Sequence, residues 1–517
     1  MTPVVTAAEM RALDRQTIDE IGLPAVVLME TAGRAVAEAA LRMLGARRGH
    51  VMVVCGPGNN GGDGFVAARV LRDRGIDAVA YLAAPREAVR GDARTHLEIL
   101  ERAGGAIQLI AAPEQLAAVA GRATDAVLVI DALFGVGLTR PIEGHLAEVV
   151  AMMQRAPRVL AVDIPSGLDT DTGRELGCAV TAERTVTMAV PKIALVSAPG
   201  FARAGEVEVA DIGIPPALIA AANIPVSLVM ASDVARWLPH AQSLEHKGRR
   251  GHVLVVGGSP GMRGAGRLAA IAAFRAGAGL CTLAADGDPG PTLDAPDSVM
   301  TRSLAAGGQL AVVLAGKAAI VIGPGIGNTN ASVARVREVL ASGIPAVLDA
   351  DALNGLAADP AAIAGAAGPI VVTPHPGEAS RLLGITVAAI EADRIAAARA
   401  LAAKTRAVVV LKGARTIVCD GSGAGSTAGQ HCSINPTGGP ALATGGSGDV
   451  LAGTIGALLA QGLSAIDAAR AGVFVHGAAG DQLTEVHGAR GVVSSDLPAA
   501  IASAIRTLSR EGAARNY

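Results

Sequence analysis

The chain is an α/β protein of two successive domains, the first built on a parallel, doubly wound sheet and the second also α/β. Three observations predict this. Short β-rich runs alternate with helical stretches along nearly the whole length, which is the pattern of parallel sheets. Most of those runs are continuously apolar, as strands covered on both faces are. At 517 residues the chain is too long for one ordinary core, and the division is placed between residues 1–222 and 223–517.

Bulk composition removes several classes of function. Hydrophobic residues make up 51% but aromatics only 2%, so the cores are built from small aliphatic side chains. A net charge of −2 gives no basic surface for nucleic acid or membrane. The five cysteines are far apart, with no CxxC, so neither a disulfide framework nor a zinc site is expected. The N-terminal stretch lacks a signal-peptide layout, and a cytoplasmic location is expected. The uncharged run Ile212 to Ser232 is long enough to suggest a membrane span, but Pro215, Pro216, Asn223 and Pro225 break it. It reads as a linker plus a strand.

Thr6 and Glu9 fit a capping box, so a helix is expected through Arg11 to Glu20. A second helix starts with Pro24 in its first turn. The strand HVMVVCG then ends in GPGNNGGDGF, and DAVAYL, AVLVIDALFG, VLAVDIPSG and TVTMAV follow as later strands. In such sheets ligands bind beyond the carboxyl ends of the strands. Three loops lie there: Gly56 to Gly64, Gly135 to Pro141 and Asp163 to Asp169.

The first of these loops matches GxGxxG. A dinucleotide site of the usual kind also wants an acid at the end of the second strand, about 20 residues on. That strand ends Ala80-Tyr81-Leu82, so an ordinary NAD dehydrogenase is disfavoured. Asn60, Asp131, Asp163 and Ser166 concentrate oxygen donors at the strand ends, which suits a hard cation.

GPGNNGGDG, LFGVGLTRP and VDIPSGLD, with METAG and MAVPK, resemble the epimerase half of the bifunctional NAD(P)H-hydrate repair enzymes, which has a Rossmann-like three-layer α/β/α fold. The resemblance implies that Asn59, Asn60, Gly61, Gly62 and Asp63 hold the hydrated dinucleotide. It implies the same for Gly135, Val136, Gly137, Leu138, Thr139, Arg140 and Pro141, and for Asp163. It also implies potassium on Asn60, Asp131 and Ser166. Asp163 and Lys192 are the ionisable candidates for catalysis, although Lys192 also fits a solvated loop lysine. Epimerisation needs the centre either opened and reclosed or deprotonated and reprotonated, and both routes stay open.

The second half repeats the pattern of strand, glycine loop and helix. HVLVVGGS leads in, and LCTLAA, AIVIGPGIG, AVLDADALN, IVVTPHPGE and AVVVLKG follow as strands. No GxxxxGK[S/T] occurs, so a Walker-type nucleotide site is excluded. The cluster Lys247, Arg249 and Arg250 reads as solvated surface. GPGIG is a close-approach loop or a tight turn. Asp349 in DADALN either faces magnesium through water or caps the next helix together with Asp351. His375 stands between two prolines and is expected to face a ligand. Lys412 suits a nucleotide phosphate or a strand-end surface position.

The strongest stretch is NPTGGPALATGGSGDVLAG, Asn435 to Gly453. Its glycines admit close approach and positive φ, and the open N–H groups of a helix start attract phosphate oxygens. Asp449 at the join makes sense as the base for a hydroxyl that attacks a phosphoryl group.

GGSPGMRGAG, GPGIG, DADALN, TPHPGE, LKG and GGSGDVLAG, in this order, are similar to the dehydratase half of the same repair enzymes, a ribokinase-like α/β domain. The similarity implies that Ala265, Gly325, His375 and Asp449 contact the hydrated cofactor. It implies that Lys412, Gly413, Ala414, Arg415, Thr416 and Gly448 line the adenine nucleotide, with ADP as phosphoryl donor and Mg2+ on its phosphates. The expected partners are small molecules, and a homo-oligomer is expected. Three rivals stand beside this reading: a vitamin-precursor kinase, a non-catalytic dinucleotide-binding regulator and the dehydrogenase.

Overall fold

The computed structural model describes residues 1–240, 246–287, 298–304, 310–422 and 430–514. The chain forms two compact units, Pro3–Ile224 and Pro225–Tyr517, with Met1–Thr2 counted in the second. Among the described residues no helix is long and apolar enough to cross a membrane.

After the two-residue strand β1 (Thr2–Pro3), the first unit contributes β2 (His50–Cys55), β3 (Asp77–Leu82), β4 (Ile107–Leu109), β5 (Leu128–Ala132), β6 (Val159–Val162), β7 (Arg184–Met188) and β8 (Glu206–Ala210). They form one sheet in the order β4-β3-β2-β5-β6-β7-β8, and every pair in it is parallel. The order reverses between β2 and β5, so the crevice beyond their carboxyl ends is the switch point where ligands bind. The Thr6–Glu9 capping box forms and starts the helix Ala7–Asp19, and Pro24 caps the helix Ala25–Leu44.

The second unit adds β9 (Val226–Leu228), β10 (His252–Val256), β11 (Leu280–Asp286), β12 (Met300–Leu304), β13 (Ala319–Ile322), β14 (Ala346–Leu348), β15 (Ile370–Val372), β16 (Val408–Leu411), β17 (Ile417–Cys419) and β18 (Cys432–Ile434). Its sheet runs β1-β9-β18-β17-β16-β15-β14-β13-β10-β11-β12. The block from β16 to β12 is parallel, whereas β17 pairs antiparallel with both β16 and β18. The order reverses here between β10 and β13.

Three expectations change. Cys419 and Cys432 are disulfide-bonded. They stand directly opposite each other on β17 and β18, a register that sequence separation does not reveal. The run Ile212 to Ser232 contains β9 as expected, but also a short helix, Pro216–Ala221, begun by its prolines. Strands β4, β8, β12, β17 and β18 are absent from the sequence reading: β4, β17 and β18 are only three residues long, and β8 and β12 carry charged residues that break the apolar run.

In the second unit the helix Ser447–Ala460 is buried along most of its length and packs on the helix Arg263–Arg275. Gly453 permits that approach: a Cβ there would lie 2.1 Å from the carbonyl oxygen of Ala269. Gly453→Ala is therefore expected to destabilise this unit by about 1–3 kcal/mol through overpacking. A lowered denaturation midpoint, with the first unit's transition unmoved, is the check.

Candidate active sites

A cavity of about 510 Å³ opens at the switch point of the first sheet. Asn59, Asn60, Asp63, Gly135, Val136, Gly137, Leu138, Asp163 and Lys192 all line it, from four different strand ends. The helix Asn59–Asp73 begins at its wall, so the unbonded N–H groups of its first turn are available there. Gly61 and Gly62 face inward instead: a Cβ on Gly61 would lie 1.9 Å from the Gly56 oxygen, and one on Gly62 2.4 Å from Met29 Sδ. Thr139, Arg140 and Pro141 are exposed and are not among the lining residues.

Lys192 is not a solvated loop lysine. It is fully buried, and its Nζ donates to Asp163 Oδ1 at 2.6 Å, to Met188 O at 2.8 Å and to Thr187 Oγ1 at 3.0 Å. All three donors of the ammonium are thereby occupied by protein. Asp163 has φ +65°, a left-handed conformation that Asp tolerates better than most residues. A Cβ on Gly135 would come 3.1 Å from Asn60 Oδ1 and 3.3 Å from Asp163 Oδ2, so only glycine leaves this mouth open.

Asp131 and Ser166 are buried and do not line the cavity themselves; Ser166 Oγ accepts from the N–H of Phe134, which does. Ser166 donates to Asp131 through its Oγ at 2.5 Å and through its backbone N–H at 2.8 Å. Burial raises the Asp131 carboxyl to about 6, only partly offset by hydrogen bonds from Ser166 and Leu133. A buried carboxylate whose bonds come from neutral groups, with the Ser166 hydroxyl and the Phe134 carbonyl beside it, is an all-oxygen set of the kind a hard monovalent cation takes.

The sequence reading missed Asp14. It lies on the helix Ala7–Asp19, lines the cavity, and is raised to about 6 by burial, with Lys192 and Asp163 both acting on it. Asp63 is raised too, by its burial and then by the charges of Asp163 and Asp14. Asp14 stands in no recognisable motif; in sequence it reads as one more polar position of an amphipathic helix.

In the second unit the helix Ser447–Ala460 starts at Gly446, which has φ +90°, and carries Asp449 in its first turn. Burial, then the nearby charge of Asp349, raise Asp449 to about 7; Lys412 works against this and Asp351 adds to it. Lys412 leaves the end of β16 and donates to Asp349 Oδ1 at 2.7 Å, with Glu378 Oε2 at 3.8 Å. Burial opposes its charge, but Asp349 and Glu378 more than compensate and hold its pKa above that of an ordinary lysine. A Cβ on Gly448 would lie 3.3 Å from Lys412 Nζ, so the helix start sits directly over the pair. Lys412 is thus no outward-facing strand-end lysine.

Asp349 is 1% exposed and also accepts from Thr373 Oγ1 at 2.7 Å. Neither acid caps the next helix; Asp351 Oδ2 instead accepts from the Gly327 N–H at 2.9 Å and braces the GPGIG loop. Gly325 has φ +58°, and a Cβ there would come 3.2 Å from Ala265 Cβ, so these two residues share one corner. His375 is half-exposed and its Nδ1 accepts from the Gly377 N–H, capping the helix Pro376–Leu383. Arg415 bonds Pro436 O at 2.6 Å, which ties the Lys412–Thr416 loop to the glycine stretch. Among the described residues no three His, Cys, Asp or Glu side chains converge as a metal site.

The chain therefore couples a Rossmann-like α/β unit, holding a buried lysine–aspartate pair, to a ribokinase-like α/β unit with an acid at a glycine-rich helix start. A family profile described as YjeF-related protein N-terminus matches residues 25–194, and one described as NAD(P)H-hydrate dehydratase matches residues 253–503. The bifunctional NAD(P)H-hydrate repair enzyme Nnr of Moorella thermoacetica is 44% identical, covering 98% of this chain and 97% of its own. That of Escherichia coli is 35% identical, covering 95% and 92%. A solved ADP/ATP-dependent NAD(P)H-hydrate dehydratase from Bacillus subtilis is 29% identical, with TM-score 0.48, over 55% of this chain and 99% of its own. The chain belongs to the bifunctional NAD(P)H-hydrate repair enzymes. That membership selects the repair reading over the kinase, the regulator and the dehydrogenase.

The Lys192–Asp163 pair should act as a unit. Lys192→Met leaves a buried carboxylate unpaired and is expected to cost about 3–5 kcal/mol. Adding Asp163→Asn should recover part of that loss in the same denaturation measurement.

Proposed function

We propose that the first unit interconverts the two hands of hydrated NADH and NADPH on Asp163, and that the second removes water from the S hydrate with ADP and Asp449. The observation that carries this is Asp449, raised to about 7 at a helix start that has unbonded N–H groups beside it. Such a carboxyl is close to half-ionised at neutral pH, as a general base should be. It takes the proton of the ring hydroxyl, whose oxygen then attacks the terminal phosphoryl group of ADP.

The helix start at Gly446 and the Lys412 ammonium face the charge that develops on the phosphoryl oxygens. Hydroxide is a poor leaving group and phosphate a good one. The ring-nitrogen lone pair expels phosphate, and loss of a proton from the adjacent carbon restores the ring double bond. AMP, phosphate and NAD(P)H are the products.

Magnesium would be held mainly by the nucleotide phosphates and would neutralise their charge. Asp349, already engaged by Lys412 and Thr373, suits contact through water better than direct ligation. Ala265, Gly325 and His375 would contact the hydrated cofactor, with Gly413, Ala414, Arg415, Thr416 and Gly448 along the nucleotide. In the first unit Asn60, Asp131, Ser166 and the Phe134 carbonyl would hold potassium, which supplies the positive charge that buried Asp131 lacks.

Hydrated NADH given with ADP, or with ATP, should regain the absorbance of reduced nicotinamide and release phosphate in equal amount. A stable phosphorylated product without regained absorbance would reject dehydration. Because the base works ionised, kcat/KM for dehydration should rise about tenfold per pH unit up to a pH near 7 and then level. The folded-state pKa of Asp449 lies above its ordinary value, so its contribution to stability is retained at low pH and lost as pH rises through about 7. Asp449→Asn should accordingly abolish turnover, and raise the melting temperature more at pH 8 than at pH 5.

A further inference from the structure

We propose that Asp14 is the second acid–base group of the epimerisation, exchanging a proton with the substrate while Asp163 exchanges the other. The inference rests on the epimerase reading of the first unit.

The chemistry requires two proton carriers. The hydroxyl-bearing carbon is bonded to the ring nitrogen, so it is a hemiaminal carbon. Its C–H lies next to no carbonyl and is a poor acid, which favours opening over deprotonation. In the opening step a base takes the hydroxyl proton and the C–O bond becomes a carbonyl. The electron pair of the carbon–nitrogen bond passes to nitrogen, which takes a proton from an acid. Rotation about the adjoining C–C bond presents the other carbonyl face. Nitrogen closes onto it, its proton returns to the second group, and the first group gives its proton back to oxygen. Atoms and protons balance with no co-reactant.

One carrier is Asp163, whose Oδ2 faces the Gly135 mouth. Lys192 is a poor second, because its three donors are already given to Asp163, Met188 and Thr187. It is a positioning residue that holds Asp163. The remaining ionisable groups on the cavity wall are Arg11, Asp14, Asp63 and Asp92. Arginine stays protonated at any working pH. Asp63 is buried almost completely in the helix that begins with Asn59. Asp92 lies in the first turn of a different helix, Gly91–Arg102, whereas the charges of both Lys192 and Asp163 act on Asp14. Asp14 is half-buried, comes from the helix Ala7–Asp19, and so approaches from a different element than Asp163 does. Its carboxyl, raised to about 6 by burial, with Lys192 lowering and Asp163 raising it, exchanges protons readily near neutrality.

The test uses the full chain carrying Asp449→Ala, which cannot consume either hydrate. One pure epimer of hydrated NADH is followed by chromatography against a buffer control. Adding Asp14→Asn should lower kcat for epimerisation at least about 100-fold, the usual share of one acid–base group, with KM within about threefold. The pH profile of kcat/KM should lose one limb, and Asp14→Glu should restore part of the rate. A melting temperature of Asp14→Asn no lower than that of the parent sets this apart from misfolding. A rate within about threefold of the parent, or a profile that keeps both limbs, overturns the role of Asp14. Failure of the Asp449→Ala parent itself to exceed the buffer control overturns the epimerase reading, and the proposal with it.

Discussion

In each unit a lysine is held against an aspartate just past the carboxyl end of a parallel strand: Lys192 on Asp163 at 2.6 Å, Lys412 on Asp349 at 2.7 Å. Pairs this deeply buried are weak sources of stability, since the loss of hydration offsets most of their attraction. Their effect is positional and electrostatic. Each pair fixes one carboxylate in a single orientation and places a compact charge beside a further acid that has no such partner of its own. Asp14 and Asp63 stand near the first pair, Asp449 near the second, and all three are raised. Strand ends make this arrangement available because parallel neighbours bring several loops to one edge of the sheet.

Close backbone approach is the second constraint. Gly135 leaves room between Asn60 and Asp163, and Gly448 lets a helix start rest on the Lys412–Asp349 pair. A methyl group at either point would enter the space that a ligand or an ammonium needs. The same logic applies behind the sites, where Gly61 admits the Gly56 carbonyl and Gly453 that of Ala269. Glycines that touch ligand and glycines that only let elements meet are interleaved in one motif. The GPGNNGGDG run contains both kinds, Gly58 on the cavity wall and Gly61, Gly62 and Gly64 against packed neighbours, and sequence spacing cannot separate them.

That interleaving shows where reading the chain succeeds and where it fails. Local features are legible: the Thr6–Glu9 capping box, the Pro24 helix start and the apolar central strands follow from short-range rules. The motifs locate the strand ends that face the sites, because the parallel α/β pattern dictates which ends those are. Features made by tertiary register are not legible. Cys419 meets Cys432 only because β17 and β18 pair antiparallel at that register. The burial of Lys192 depends on β7 lying beside β6, which brings Thr187 and Met188 to Asp163. Asp14 belongs to a helix whose amphipathic pattern looks the same whether its polar face meets water or a cavity.

Two chemistries in one chain follow from the rigidity of the second site. Asp449 is fixed on the first turn of a helix packed along most of its length, and Lys412 is fixed by two carboxylates. On the proposed reading, a base and a phosphoryl donor held this way would address one face of the ring, so that one hand of the hydrate is consumed and the other excluded. Loosening the site to accept both would sacrifice the alignment on which in-line transfer depends. The excluded hand would then be inverted elsewhere, in a site that, on the proposed route, holds the ring through opening and rotation. A cavity of about 510 Å³ walled by a few ionisable groups suits that task.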